Sequence, residues 1–120
     1  MAIAAAVFVV LVALLHYYFL VLEMFLWTKP RGRKIFGTTE EQANNSAVLA
    51  ANQGLYNGFL ATGLVWGLFW YGLGPGRSVI TYFLACVVVA GVYGAATVNK
   101  RILFVQAVPA VIALALVWLA

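Results

Sequence analysis

The chain contains no aspartate, one histidine and one cysteine, and only 8% of its residues are charged. In ordinary soluble domains about a quarter of the residues are charged. This composition therefore excludes an ordinary soluble domain. The single cysteine, Cys86, cannot form an intramolecular disulfide and is expected to be a small buried apolar residue. Too few acids and imidazoles remain for a metal site or a Ser-His-Asp arrangement, so we predict neither a metal nor a cofactor.

Apolar residues dominate instead, at 66% of the chain with a mean hydropathy of +1.03. A membrane helix needs about 20 such residues, so the chain has room for about four spans and short connections. We therefore predict an all-α, polytopic integral membrane protein. Its four transmembrane helices are expected to form a bundle that makes one transmembrane domain over residues 1–120.

Polar and Pro/Gly-containing segments mark the ends of these spans. Thr38 followed by Glu41 has the spacing of a capping box, which predicts the start of a helix, and Pro109 predicts a kink in the last span. The predicted spans are 3–27, 46–71, 78–98 and 102–119, and a cytoplasmic basic loop covers 28–45.

Positive charge lies mainly on one side of the predicted spans, which places that side in the cytoplasm and both termini away from it. This bias accounts for the net charge of +4, so no nucleic-acid partner is predicted, and the lipid bilayer is the expected partner. Only Arg77 falls on the other side. The residues on the cytoplasmic side are Lys29, Arg31, Arg33, Lys34, Lys100 and Arg101.

Glu23 is the one carboxylate within a predicted span, and His16 precedes it by seven residues. Seven residues are about two helical turns, so both side chains share one face, about 10 Å apart. An unpaired charge in hydrocarbon is costly, and membrane helices usually keep one for a function. Glu23 and His16 are therefore candidate ligand- or proton-binding residues.

Polar residues on the other helices fall at similar depths. His16 is expected to be level with Tyr56 and Asn57, and these residues with Asn52 complete the candidate binding set. Glu23 is expected to be level with further polar residues that would form a cytoplasmic vestibule, with arginines of the basic loop at its mouth. These vestibule residues are Gln53, Tyr93, Thr97, Gln106, Arg31 and Arg33.

Structural roles explain some of the same residues. Asparagine and glutamine often only join helices by hydrogen bonds, and Glu23 would be structural if it paired with Arg31 or Arg33. The small residues Ala50, Gly54 and Gly58 form a row that permits close helix packing. Close packing between helices is enough to explain the glycines, and for a homodimer this row is the packing face we expect.

Two long motifs resemble a known family. They are Leu22-Glu23-Met24-Phe25-Leu26-Trp27-Thr28-Lys29-Pro30-Arg31-Gly32-Arg33-Lys34-Ile35-Phe36-Gly37 and Ala50-Ala51-Asn52-Gln53-Gly54-Leu55-Tyr56-Asn57-Gly58-Phe59-Leu60. Both closely resemble the DUF1304 family of small bacterial membrane proteins, and the resemblance covers essentially the whole chain. It implies a four-helix protein of a bacterial inner membrane and supplies no activity.

Three functional classes remain open. The favoured one is a small transporter or permeation protein that binds a proton or small solute at Glu23, because small multidrug exporters share this architecture although not the sequence around the carboxylate. A membrane pocket or isomerase-like enzyme for a hydrophobic ligand would use His16 and Glu23 as acid and base. The third class is an accessory subunit without chemistry.

Overall fold

The computed structural model describes all 120 residues, and its regular elements are helical. Two π-helical segments, Trp66–Tyr71 and Leu103–Ala107, follow the third α-helix and precede the fifth. The all-α fold class is therefore confirmed. The α-helices are α1 (Ala2–Met24), α2 (Pro30–Phe36), α3 (Glu40–Val65), α4 (Arg77–Thr97) and α5 (Val108–Leu119).

Only α1 and α4 are long and apolar enough, as single helices, to cross a membrane, whereas four such spans were predicted. The first half of α3 carries several polar side chains, which lower its hydropathy. The last apolar stretch, Leu103–Leu119, is shorter and begins with the π-helical segment. The structure thus supports two candidate membrane helices, and a bundle of four spans does not follow from it.

Within the predicted basic loop 28–45, α3 begins near the expected helix start, and the short helix α2 was not expected. Pro30 begins α2, where the fixed φ of proline suits the first helical turn. Gly37 ends α2 in the left-handed conformation at φ 68°, and its N–H donates to the Arg33 carbonyl. The basic residues, proline and glycine of this segment were interpreted only as signals that end a helix. The short helix α2 was therefore not predicted.

The capping box at the start of α3 lies one residue later than predicted. The Thr39 hydroxyl accepts from the Gln42 N–H at 3.1 Å, and the Gln42 side-chain oxygen accepts from the Thr39 N–H at 3.0 Å. Glutamine can close such a box as glutamate does. Thr39 and Gln42, rather than Thr38 and Glu41, therefore fix the start of α3.

Contacts divide the chain into two compact units, and one of them comprises Leu15–Phe59. In this unit the end of α1 packs closely on α3. A Cβ added at Gly58 would lie 2.6 Å from Leu20 Cδ1, and one added at Gly54 would lie 2.8 Å from Met24 Cγ. Gly54 and Gly58 of the small-residue row therefore pack against α1 of the same chain.

The other unit comprises Met1–Leu14 with Leu60–Ala120. Within it α4 packs on the last helical stretch, where a Cβ at Gly91 would lie 2.8 Å from Ala107 Cβ. At the far end of the same pair of helices, Trp118 Nε1 donates to Thr81 Oγ1 at 3.0 Å, and the Arg77 guanidinium lies 5.2 Å from the Trp118 ring centroid.

Candidate functional site

Glu23 lies in the last turn of α1 and is only 5% exposed. Its burial follows from Gly54 on α3, since a Cβ added at Gly54 would lie 3.0 Å from Glu23 Cβ. The two helix backbones can approach this closely only where one of them lacks a side chain. Gly54 therefore allows the turn of α1 that carries Glu23 to pack directly against α3.

Asn57 is the hydrogen-bond partner of Glu23. Its side-chain Nδ2 donates to Glu23 Oε1 at 2.5 Å, and Asn57 itself is 8% exposed. The bond joins α1 to α3 across 34 residues of sequence. The sequence reading had placed Asn52 and Gln53 at the level of Glu23, so the helices are shifted by about one turn relative to that expectation.

An amide partner gives this carboxyl group a chemical property that an arginine would not. The asparagine side chain carries both NH donors and a carbonyl acceptor, so it can donate to an ionised carboxylate and accept from a protonated carboxylic acid. A guanidinium has donors only and supports the ionised form alone. The Glu23–Asn57 pair can therefore stay hydrogen-bonded whether or not Glu23 carries a proton.

Neither loop arginine pairs with Glu23. Arg31 Nη2 donates to the Tyr18 hydroxyl at 3.0 Å at the exposed surface. Arg33 is half-buried, and its Nε has no hydrogen-bond partner. The alternative in which Glu23 is simply a salt-bridge partner of Arg31 or Arg33 thus lacks the contact that would define it.

His16 is fully buried on α1, and its ring makes an edge-on contact with Phe19 at 5.2 Å between centroids. Seven residues of helix separate it from Glu23, which corresponds to about 10 Å along the axis. The two side chains are therefore too far apart for a direct hydrogen bond. A proton passing between them would need at least one intermediate group or water.

The remaining α3 candidates are not buried with Glu23. Asn52, Gln53 and Tyr56 are exposed, in contrast to the buried Asn57. Asn52 and Asn57 are five residues apart, which is about 140° around the helix axis. Of the five residues predicted to bind a ligand or proton, the structure buries Glu23, His16 and Asn57 and leaves Asn52 and Tyr56 on the outer face of α3.

The predicted vestibule residues Tyr93, Thr97 and Gln106 belong to the other compact unit. Tyr93 and Thr97 are exposed on α4, and Gln106 is half-buried in the second π-helical segment. The Thr97 hydroxyl donates to the Tyr93 carbonyl at 2.7 Å, so its hydrogen-bonding need is met within its own helix. A shared vestibule formed with these residues stays a prediction.

Sequence reasoning missed a second polar link beside Glu23. Trp27 Nε1 donates to Ser46 Oγ at 3.0 Å, and Ser46 Oγ donates in turn to the Gln42 carbonyl. The Trp27 ring also packs on Phe36 of α2 at 4.8 Å between centroids. The spacing of Trp27 from the end of α1 gave no signal for this link, because it depends on how the connecting segment folds.

Comparison with known proteins places the chain in one family. The family described as "Protein of unknown function (DUF1304)" matches residues 10–118. The uncharacterised protein YpaA of Lactococcus lactis subsp. lactis (strain IL1403) is 30% identical over 116 residues, which are 95% of this chain and 96% of YpaA. No solved structure matches. The chain belongs to the DUF1304 family.

Proposed function

We propose that this DUF1304 protein is a small transporter or permeation protein of the bacterial inner membrane, with the Glu23–Asn57 pair as its proton- or solute-binding site. The observation that carries the proposal is a buried carboxylate at the end of an apolar helix, held by an amide instead of a basic side chain.

Exposed apolar side chains support the membrane placement. In the most apolar part of α1 only 33% of residues are buried, and in α4 only 22%. One row of apolar residues on α1 recurs at helical spacing, and at least about half of each side chain is exposed. The row consists of Ile3, Val7, Leu11 and Leu14. The core helix of a soluble protein would bury such residues, whereas lipid provides an apolar surrounding for them.

Two further segments complete the proposed set of four spans. Residues 46–71 run through the second part of α3 and the first π-helical segment, after the polar start of that helix. Leu103–Leu119 is apolar throughout apart from Gln106 and falls at the short end of the range for a membrane helix, about 17–25 residues. A π-helical turn is tolerated within a membrane span because its backbone groups remain hydrogen-bonded.

The basic residues orient the protein in this arrangement. Lys29–Lys34 and Lys100–Arg101 lie in the two connections on one side, and Arg77 lies in the connection on the other. The side rich in lysine and arginine faces the cytoplasm, so both termini lie on the opposite side. Glu23 is then about one helical turn from the cytoplasmic surface, so a proton from that side has only a short distance to cross.

The Glu23–Asn57 pair suits a site that gains and loses a positive charge. A carboxylate in hydrocarbon needs a proton or a cation for neutrality, and Asn57 supplies neither. A proton and a small organic cation are therefore alternative occupants of the same group, which is the requirement for exchange. His16, buried further along the same helix, would assist passage toward the other side.

The proposal is tested by reconstituting the protein in liposomes that contain a pH-sensitive dye. Small organic cations are added across a pH gradient, and proton movement is recorded. Wild-type protein should release protons when a transported cation is added, and Glu23→Gln should abolish the signal while preserving the shape of the site. The matched control is Glu40→Gln, which removes an exposed carboxylate from the first turn of α3 and should behave as wild type.

Equal transport by wild type and Glu23→Gln would overturn the role of Glu23. Proton movement that is identical in protein-free liposomes, for every cation tested, would count against transport as the activity. Retention of the Glu23→Gln protein in the membrane has to be verified by sedimentation, so that loss of signal is not loss of protein.

A further inference from the structure

The outer face of α3 carries a regular row of exposed residues. Their sequence separations alternate between four and three, which keeps them on one stripe of the helix. Leu49, Tyr56 and Phe59 are each more than half exposed, and the two asparagines of the row are also exposed. We call this row the α3 seam; it consists of Asn45, Leu49, Asn52, Tyr56 and Phe59.

Alternating separations of three and four are the pattern by which two helices pack along their length. A seven-residue repeat with two inward positions lets side chains of one helix fit between those of another. A polar asparagine in such a row fixes which residues face each other, because its amide is satisfied only opposite a matching polar group. The α3 seam has two asparagines seven residues apart, at equivalent positions of the repeat.

The opposite face of α3 is already occupied. Gly54 and Gly58 are buried against Leu20, Glu23 and Met24 of α1. The α3 seam therefore points away from the contact of α3 with α1, and Asn52 lies about 140° from Asn57. In a membrane, an exposed amide at the depth of Asn52 lacks hydrogen-bond partners in the lipid.

We propose that the α3 seam is the interface between two copies of this chain, packed as parallel helices about a two-fold axis perpendicular to the membrane. Two copies inserted with the same orientation have parallel α3 helices, so each seam residue meets its own equivalent. An asparagine amide both donates and accepts, so Asn52 of one copy satisfies Asn52 of the other. Asn45 does the same about two turns earlier.

Aromatic residues complete the self-matching surface. The rings of Tyr56 and Phe59 lie 6.0 Å apart, so they form one continuous apolar patch beside Asn52. Tyr56 and Phe59 thus act in the interface and not in a solute path. The inference rests on the membrane placement proposed above and is independent of whether Glu23 supports transport.

Cysteine cross-linking in native membranes tests the seam. The only native cysteine is first removed as Cys86→Ser, and single cysteines are then introduced at Leu49, Asn52 or Phe59. Oxidation should give several times as much covalent dimer at these positions as at the matched control Asn44→Cys, an exposed position of α3 about 100° around the helix from the middle of the seam. Val89→Cys on α4 is a second control, because it is 68% exposed and reports random collision.

Each outcome is decisive. An excess of dimer at the seam positions over both controls supports the proposal. Equal cross-linking at Asn44, or none at the seam while the protein stays in carbonate-washed membranes, overturns the interface and leaves the transport proposal intact. A product of a different mass means that another protein covers the seam and also overturns it. Release of the protein by carbonate would remove the membrane placement on which both proposals depend.

Discussion

The side chain of Leu20 fills the space beside Gly58, where an added Cβ would lie 2.6 Å from Leu20 Cδ1. One turn away, a Cβ at Gly54 would meet Met24 Cγ at 2.8 Å, Glu23 Cβ at 3.0 Å and the Leu20 carbonyl at 3.3 Å. The atom nearest a Cβ at Gly58 is the free end of a side chain. The atoms near a Cβ at Gly54 include Glu23 Cβ and the Leu20 carbonyl oxygen, which can move only with the α1 backbone. The two glycines therefore differ in how much change they tolerate.

We expect Gly54→Ala to lower the free energy of unfolding by about 1–3 kcal/mol, because overpacking there must displace the α1 backbone. Gly58→Ala should change it by less than about 1 kcal/mol, since Leu20 can rotate and alanine favours the helix. Thermal unfolding in detergent measures both variants. Equal destabilisation by the two substitutions would contradict this difference in packing between Gly54 and Gly58.

The Glu23–Asn57 bond should appear as a coupling between the two residues. Asn57→Leu leaves the buried carboxyl without its partner and should lower the free energy of unfolding by about 1–3 kcal/mol. The double variant Glu23→Leu with Asn57→Leu should recover much of that loss, because both polar groups are removed together. Unfolding of the single and double variants in detergent gives the coupling. Additive effects would show that the two side chains act independently.

The contribution of the hydrogen bond between Trp27 and Ser46 to stability can be measured while the aromatic contact with Phe36 is kept. Trp27→Phe keeps a ring against Phe36 but removes the donor, and Ser46→Ala removes the acceptor. Each change should lower the free energy of unfolding by about 0.5–1.5 kcal/mol, and the double variant should add little to either. Chemical unfolding in detergent measures all three. A double variant equal to the sum of the singles would argue against the bond.

Orientation in the membrane can be tested by thiol labelling. In a Cys86→Ser background, Lys34→Cys should react with a membrane-impermeant maleimide in inside-out vesicles but not in intact spheroplasts, because the basic side faces the cytoplasm. Ser78→Cys, exposed beside Arg77, should show the opposite pattern. Labelling of both cysteines from the same side would contradict the predicted orientation.

The composition and the positions of proline and glycine were sufficient to predict much of the fold. The predicted span 78–98 matches α4 to within one residue at each end, and the all-α class follows from apolar runs too long for strands. The connection after α1 was missed, because a seven-residue helix with three basic residues has no periodicity strong enough to distinguish it from a loop. The box of Thr39 with Gln42 was missed by one residue, since Thr38 with Glu41 offers an equally good pattern.

For the candidate site, the sequence indicated which residues are unusual but not which ones meet. Glu23 and Asn57 were both singled out as polar groups in apolar helices, yet depth counting paired Glu23 with Asn52. The true pairing depends on the length and folding of the segment between α1 and α3, where α2 takes up several residues. The row of Ala50, Gly54 and Gly58 predicted a close approach correctly, but a periodic row does not specify whether the partner helix belongs to the same chain.

The π-helical segment Leu103–Ala107 constrains how this part of the chain can change in length. Ala107 lies directly against Gly91 of α4, where there is no space for a larger side chain. Deleting one residue before it would turn the following helix by about 100° and bring a different side chain toward Gly91. Insertions and deletions between Asn99 and Ala107 should therefore be far less tolerated than substitutions at its exposed positions, so the number of residues in this segment matters more than their identity.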